Sequence, residues 1–103
     1  MTQVLVAPSA RDDLERLIKT HSLPPTTKAR VRRSLQRLTR FPLLGRAIEE
    51  GCWSGYRFIL GPWRWLIILY KVDEENDVVM VASFLDGRSL DRRHRGPLTR
   101  AHA

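Results

Sequence analysis

A chain of 103 residues with 43% apolar content holds enough material for one modest core and excludes two domains. Its formal net charge of +7 and pI near 10.7 favour polyanions such as RNA, DNA, the ribosome or an anionic membrane, or serve solubility alone, and say nothing about fold. A single cysteine, Cys52, excludes an internal disulfide.

No His/Cys spacing suggests zinc, and no cofactor is expected. Cys52 has no histidine beside it in sequence and reads as a structural or tolerated thiol. Residues Met1 to Ala7 lack the basic and apolar regions of a signal peptide. The longest apolar run, Trp65 to Tyr70, is far too short to span a bilayer. The expectation is a cytoplasmic protein with no membrane partner.

Gln3 to Ala7 is a short β-type run broken by Pro8-Ser9. Ser9 and Asp12 have capping-box spacing, with Pro8 outside the helix. Ala10, Leu14, Leu17 and Ile18 then form one helical stripe, and Asp12, Asp13, Glu15 and Arg16 take the wet side. Ser22-Leu23-Pro24-Pro25 ends this helix. Thr26 or Thr27 caps the next, whose stripe is Val31, Leu35 and Leu38. Lys28, Arg30, Arg32, Arg33, Arg37 and Arg40 crowd its remaining surface and form the candidate RNA- or ribosome-binding surface. Phe41-Pro42 closes it, and the two helices read as an antiparallel hairpin.

From Tyr56 the period becomes that of β-structure. Arg57 to Leu60 is one strand, Gly61-Pro62 a turn, Trp63 to Val72 a long second strand, Asp73 to Asn76 an acidic turn, and Asp77 to Leu85 a third strand. The order β-α-α-β-β-β predicts an α+β domain over residues 1–90, with the helix hairpin on one face of a mainly antiparallel sheet. Residues 91–103 form a basic C-terminal tail, expected to be mobile unless a partner orders it.

A two-residue loop at Gly61-Pro62 would set Ile59 against Arg64 and Arg57 against Leu66. Pairing Val72 with Val78 would bring Arg64 opposite Asp86, with Arg88 on the same face and end. Arg57, Arg64 and Arg88 would then cluster with Asp86 at one edge, provided neither register slips. Arg64 and Asp86 alone would be an ordinary ion pair. Two further guanidiniums without acidic partners suggest an anion site, since their planar forks match phosphate oxygens. The long strand is apolar on both faces, with Leu66, Ile68 and Tyr70 on one and Trp65, Ile67 and Leu69 on the other. The helices cover only one face. The other needs sheet curvature, the tail or a partner chain.

The run Val4-Leu5-Val6-Ala7-Pro8-Ser9-Ala10-Arg11-Asp12-Asp13-Leu14, followed by a basic second helix ending in Phe41-Pro42, resembles the RelE/ParE toxin superfamily of type II toxin–antitoxin systems. So do Gly55-Tyr56-Arg57-Phe58, Gly61-Pro62-Trp63-Arg64-Trp65-Leu66-Ile67, Tyr70-Lys71-Val72-Asp73, and the finish Val79-Met80-Val81 to Asp86-Gly87-Arg88. The resemblance implies a RelE-like fold and a cognate antitoxin that wraps the toxin. RelE-like members cut mRNA in the ribosomal A site without a metal, and ParE-like members poison DNA gyrase. By that resemblance Arg57, Arg64 and Arg88 occupy basic site positions and stabilise the scissile phosphate. His94 stands where such toxins carry a tyrosine or histidine proposed as general acid, or is a solvated tail residue. Asp86 is a candidate base, weakened by any ion pair with Arg64. A ribosome-dependent mRNA endoribonuclease is the leading expectation. A gyrase inhibitor without nuclease activity is the alternative, and a plain nucleic-acid-binding module is a third.

Overall fold

β1 (Gln3–Val6) runs straight into α1 (Pro8–Thr20), and the residue between them, Ala7, is the helix N-cap. The computed structural model describes residues 1–88. The Ala7 N–H donates to Val81 O at 3.0 Å, so the strand holds it extended and the helix starts at once. Pro8 takes the first helical position, where its fixed φ fits and its missing N–H costs nothing. The expected capping box is therefore not formed. Ser9 lies inside the helix, and no side chain caps its start.

α1 ends in a Schellman motif with His21 as C-cap. The Ser22 N–H donates to Lys19 O at 3.4 Å and the Leu23 N–H to Ile18 O at 3.0 Å, with Ser22 at φ 50°. α2 (Thr27–Arg40) follows. Thr26 is its N-cap, but without a side-chain bond; instead the Thr27 hydroxyl donates to Pro24 O at 2.7 Å. The expected stripe of Val31, Leu35 and Leu38 is buried, and Phe41 closes the helix.

The sheet adds β2 (Arg46–Ala47), β3 (Arg57–Leu60), β4 (Leu66–Asp73) and β5 (Val78–Asp86), in spatial order β1-β5-β4-β3-β2. β1 lies parallel to β5 and the remaining pairs are antiparallel. This is an α+β fold with both helices on one face of the sheet. Ala10, Val31, Leu35 and Leu38 pack there with Ile59, Leu66, Ile68, Tyr70, Val79, Val81 and Phe84. β2 was not expected, since two exposed residues carry no alternating pattern.

Both sequence-based registers are corrected. Leu60 pairs with Ile67 and Arg57 with Tyr70, because Gly61 to Trp65 form a wider turn than a two-residue hairpin. Its closure comes from Gly61 N–H to Leu66 O at 2.9 Å and Leu66 N–H to Trp63 O at 3.0 Å. Across the next hairpin Asp73 pairs with Val78, one residue away from the expected match. A bulge between the Tyr70–Val81 and Leu69–Ser83 pairs adds a further residue. The two slips sum to an even shift, so the faces survive but Arg64 leaves the ladder and Leu66 stands opposite Asp86.

The bulge determines what meets α1. Before it, odd-numbered Val79 and Val81 face the helices; after it, Phe84 does. Asp86, two residues on, therefore also faces the helix side. Asp13 of α1 holds the bulge, its Oδ2 accepting from the Ser83 hydroxyl at 2.7 Å and the Phe84 N–H at 3.4 Å.

The second sheet face is covered in part by the chain itself, while the paired Leu5 and Met80 of β1 and β5 stay exposed on it. Ile48, Ile67 and Leu69 are buried there against Trp53, Tyr56, Phe58 and Leu85. The segment between β2 and β3 folds back over them through Gly55 N–H to Ile48 O at 3.0 Å and Ile48 N–H to Tyr56 O at 2.8 Å. Gly51 and Gly55, at φ 84° and 91°, supply the left-handed turns that this return requires.

Candidate nucleic-acid interface

The expected cluster of Arg57, Arg64 and Arg88 does not assemble. Arg57 pairs with Tyr70, four residues along β4 from the Leu66–Asp86 pair, or about 13 Å at the usual strand rise. It shares the helix-side face with Tyr70 and Ile59. Its guanidinium donates to Gly45 O at 2.7 Å and Leu43 O at 3.4 Å. Next to it the Gly45 N–H donates to Tyr70 Oη at 2.7 Å. Arg57 thus ties down the loop after α2. The cause is the wide turn, which moves Arg57 away from the end where Arg64 stands.

The other end of β4 and β5 gathers a different set. Arg64 is exposed in the turn between Trp63 and Trp65. The two indoles stack with centroids 5.8 Å apart and planes 15° from parallel. Arg30 of α2 lies over Trp63 at 5.2 Å, and Arg88 over Trp65 at 4.9 Å. His21 meets Trp65 at 4.8 Å. Rings and guanidinium groups in such contact attract through the ring quadrupole, which limits how far the cations swing.

Asp86 lies at the base of this array, its side chain only 8% exposed. Oδ1 accepts from the Arg88 backbone N–H at 2.9 Å, with Arg88 Nε at 3.4 Å, and Oδ2 faces His21 Nε2 at 3.1 Å. The expected partner Arg64 is replaced by His21 and Arg88. His21 escaped the sequence reading because nothing local marks it. Its only signal is a place just after the first helical stripe, and the Schellman turn and the bulge bring it to Asp86. His94 lies outside the described residues.

The basic residues of α2 divide by helical angle. Arg30, Arg33 and Arg37 line a shallow depression with Ser34 and Pro62, next to the tryptophan turn. Arg37 donates to Leu60 O at 3.3 Å. Among the described residues, Arg30, Arg33, Arg37 and Arg64 form no ion pair with a carboxylate. Lys28 and Arg32 turn the other way, and Arg40 is exposed in the last turn. Lys28 pairs with Glu15 of α1, and that bond and charge hold the Glu15 carboxyl below its ordinary range.

Between the helices, over β1, lies a groove of about 610 Å³. Val4, Val6, Leu14, Val31, Leu35 and Phe84 give it apolar walls, while Arg11, Lys28 and Arg32 make it basic. Among the described residues no three His, Cys, Asp or Glu side chains gather as metal ligands, and no helix is long and apolar enough to cross a membrane.

This architecture is shared with solved toxins of the RelE type. A chain of the RelBE2 toxin–antitoxin complex from Mycobacterium tuberculosis superposes with TM-score 0.61 at 25% identity, covering 82% of this chain and 96% of that one. A mutant E. coli toxin RelE in complex with an antitoxin RelBc peptide gives 0.62 at 15% identity, covering 87% and 90%. A conserved hypothetical protein from Helicobacter pylori gives 0.56 at 14%, covering 87% and 99%. A search of the curated proteins finds no sequence match. The family model for the ParE toxin of the type II toxin–antitoxin system parDE matches residues 4–90, and the chain belongs to that family. It is a toxin of a type II toxin–antitoxin system.

Proposed function

We propose that this toxin arrests translation by cutting mRNA on the ribosome, without a metal, and is neutralised by a cognate antitoxin. One observation carries the reading: Arg30 and Arg88 lie over a stacked Trp63–Trp65 pair that flanks the exposed Arg64, Arg33 and Arg37 line the depression beside Pro62, and Arg30, Arg33, Arg37 and Arg64 have no carboxylate partner among the described residues. Such a surface suits a polyanion rather than a neutral protein face. Cleavage requires an activated 2′-hydroxyl, a stabilised phosphate and a protonated leaving 5′-oxygen. Arg64 and Arg88 supply the second by offering guanidinium forks to charge that develops in the transition state.

The test is induction of the toxin in growing cells with primer-extension mapping of mRNA ends. New ends within translated messages are expected, and Arg64→Ala or Arg88→Ala should each lower cleavage about 100-fold. Intact mRNA during arrest overturns the reading. A second reading, inhibition of DNA gyrase without cleavage, is favoured by the withdrawal of Arg57 into the loop after α2. It predicts stalled gyrase–DNA complexes and untouched mRNA.

The groove between the helices supports the antitoxin part. The RelBE2 structure is a toxin–antitoxin complex, and the RelE structure holds an antitoxin peptide. Here apolar walls flanked by Arg11, Lys28 and Arg32 fit an amphipathic segment carrying acidic residues.

A further inference from the structure

We infer that His21 is the general base of the proposed cleavage, with Asp86 as its positioning residue. The inference rests on the ribonuclease reading and names the group that reading lacks, since guanidinium groups stay protonated and do not accept protons.

The geometry comes from three elements. The Schellman turn at Ser22 fixes His21 at the end of α1, the bulge in β5 turns Asp86 toward it, and Trp65 packs against its ring. His21 Nε2 lies 3.1 Å from Asp86 Oδ2. The two meet as a charge contact, and when the imidazole is neutral a proton on Nε2 faces the carboxylate and leaves a lone pair on Nδ1. Among the described residues Nδ1 has no hydrogen-bond partner. The His21 side chain is 26% exposed. A carboxylate that orients an imidazole is the arrangement by which a histidine accepts a proton from a hydroxyl group.

Asp86 also binds Arg88 through its other oxygen, which sets the guanidinium beside the imidazole. A scissile phosphate held by Arg88 with its ribose toward His21 would present the 2′-hydroxyl to Nδ1. There Nδ1 takes the 2′-hydroxyl proton, and the 2′-oxygen bonds to phosphorus as the bond from phosphorus to the 5′-oxygen breaks. The 5′-oxygen takes a proton from water. The imidazolium returns its proton to the hydroxide so formed, leaving a 2′,3′-cyclic phosphate and a 5′-hydroxyl.

The experiment is single-turnover cleavage of mRNA on programmed ribosomes by the full chain, with ribosome binding measured in parallel. His21→Ala should cut about 100-fold more slowly or worse, bind normally, and recover part of its rate when imidazole is added to the buffer. His21→Gln retains size and a hydrogen-bond donor toward Asp86, so it should fold and bind as the parent but stay slow without rescue. Asp86→Asn should slow cleavage, and the added loss from His21→Ala in that background should shrink, since the two act as one unit. Normal cleavage by His21→Gln, or a His21→Ala defect that imidazole never relieves, overturns the inference. If those results accompany loss of cleavage in Arg64→Ala, only the base assignment falls. A parent toxin that leaves mRNA intact removes both the base and the ribonuclease reading.

Discussion

Tyr70 is the largest fully buried side chain, and its hydroxyl is the one polar atom it carries into the core. That oxygen accepts the Gly45 N–H, and Arg57 lies alongside, tied to the Gly45 carbonyl. Gly45 itself has no room for a side chain, since a Cβ there would meet Phe58 O and Tyr70 Oη, both at 2.6 Å. Replacing Tyr70 with Phe strands the buried Gly45 N–H and should cost about 1–3 kcal/mol in denaturant unfolding. Burial pushes the Tyr70 phenol above its ordinary value of 10.0, outweighing the opposing pulls of the Gly45 N–H and the Arg57 charge. The unfolded chain therefore loses this proton first as pH rises. The stability tied to the protonated phenol is intact below about pH 10 and declines as pH climbs beyond it. Tyr70→Phe should lack that component, so the stability gap between the two proteins should narrow in unfolding curves taken above pH 10. Arg57 was legible from the sequence as an arginine on a strand. Its work, bonding a loop fourteen residues back, was not.

At the scale of elements, the site depends on how α1 and β5 meet. Asp13 satisfies the Ser83 hydroxyl and reaches the Phe84 N–H across the bulge. Asp13→Ala leaves the buried Ser83 hydroxyl without that partner and should destabilise the fold by about 1–3 kcal/mol. It should also loosen the turn toward Asp86, so amide exchange from Ser83 to Asp86 should quicken more than exchange in β4. Equal protection in both strands would show that the bulge stands without α1. The helices were readable because Val31, Leu35 and Leu38 repeat at helical spacing, and so were β3 to β5 to within a few residues. Register was not. A turn wider than two residues and one inserted residue in β5 each moved a partner, and neither leaves a local mark in composition.

At the scale of the molecule, charge and apolar surface separate. The tryptophan turn with Arg30, Arg33, Arg37, Arg64 and Arg88 forms one end, and the basic apolar groove between the helices forms another surface. The first is proposed for nucleic acid and the second for the antitoxin. Reversing Arg11 and Arg32 together to Glu should weaken antitoxin binding about tenfold or more, with a smaller salt dependence, while leaving toxicity without antitoxin unchanged. Calorimetric titration at two salt concentrations checks the first, and growth assays the second. Unaltered affinity would move the antitoxin off this groove. The sequence anticipated an uncovered sheet face as the place for a partner. The segment from Ile48 to Tyr56 covers the part of that face over β3 and β4, while Leu5 and Met80 stay exposed on it and the groove proposed for the antitoxin lies between the helices.

Local order was enough to anticipate the α+β fold, both amphipathic helices, four of the five strands among the described residues, and the basic balance. Each of these follows from residues close together in the chain, where the 3.6 and 2 periodicities and turn residues act. Tertiary structure alone decided that Arg57 leaves the site, that His21 joins Asp86, and that Trp63 and Trp65 stack between Arg30 and Arg88. Those outcomes depend on strand offsets and on a bulge held from another element, quantities summed over long stretches of chain, so a shift of one residue anywhere reassigns every neighbour beyond it.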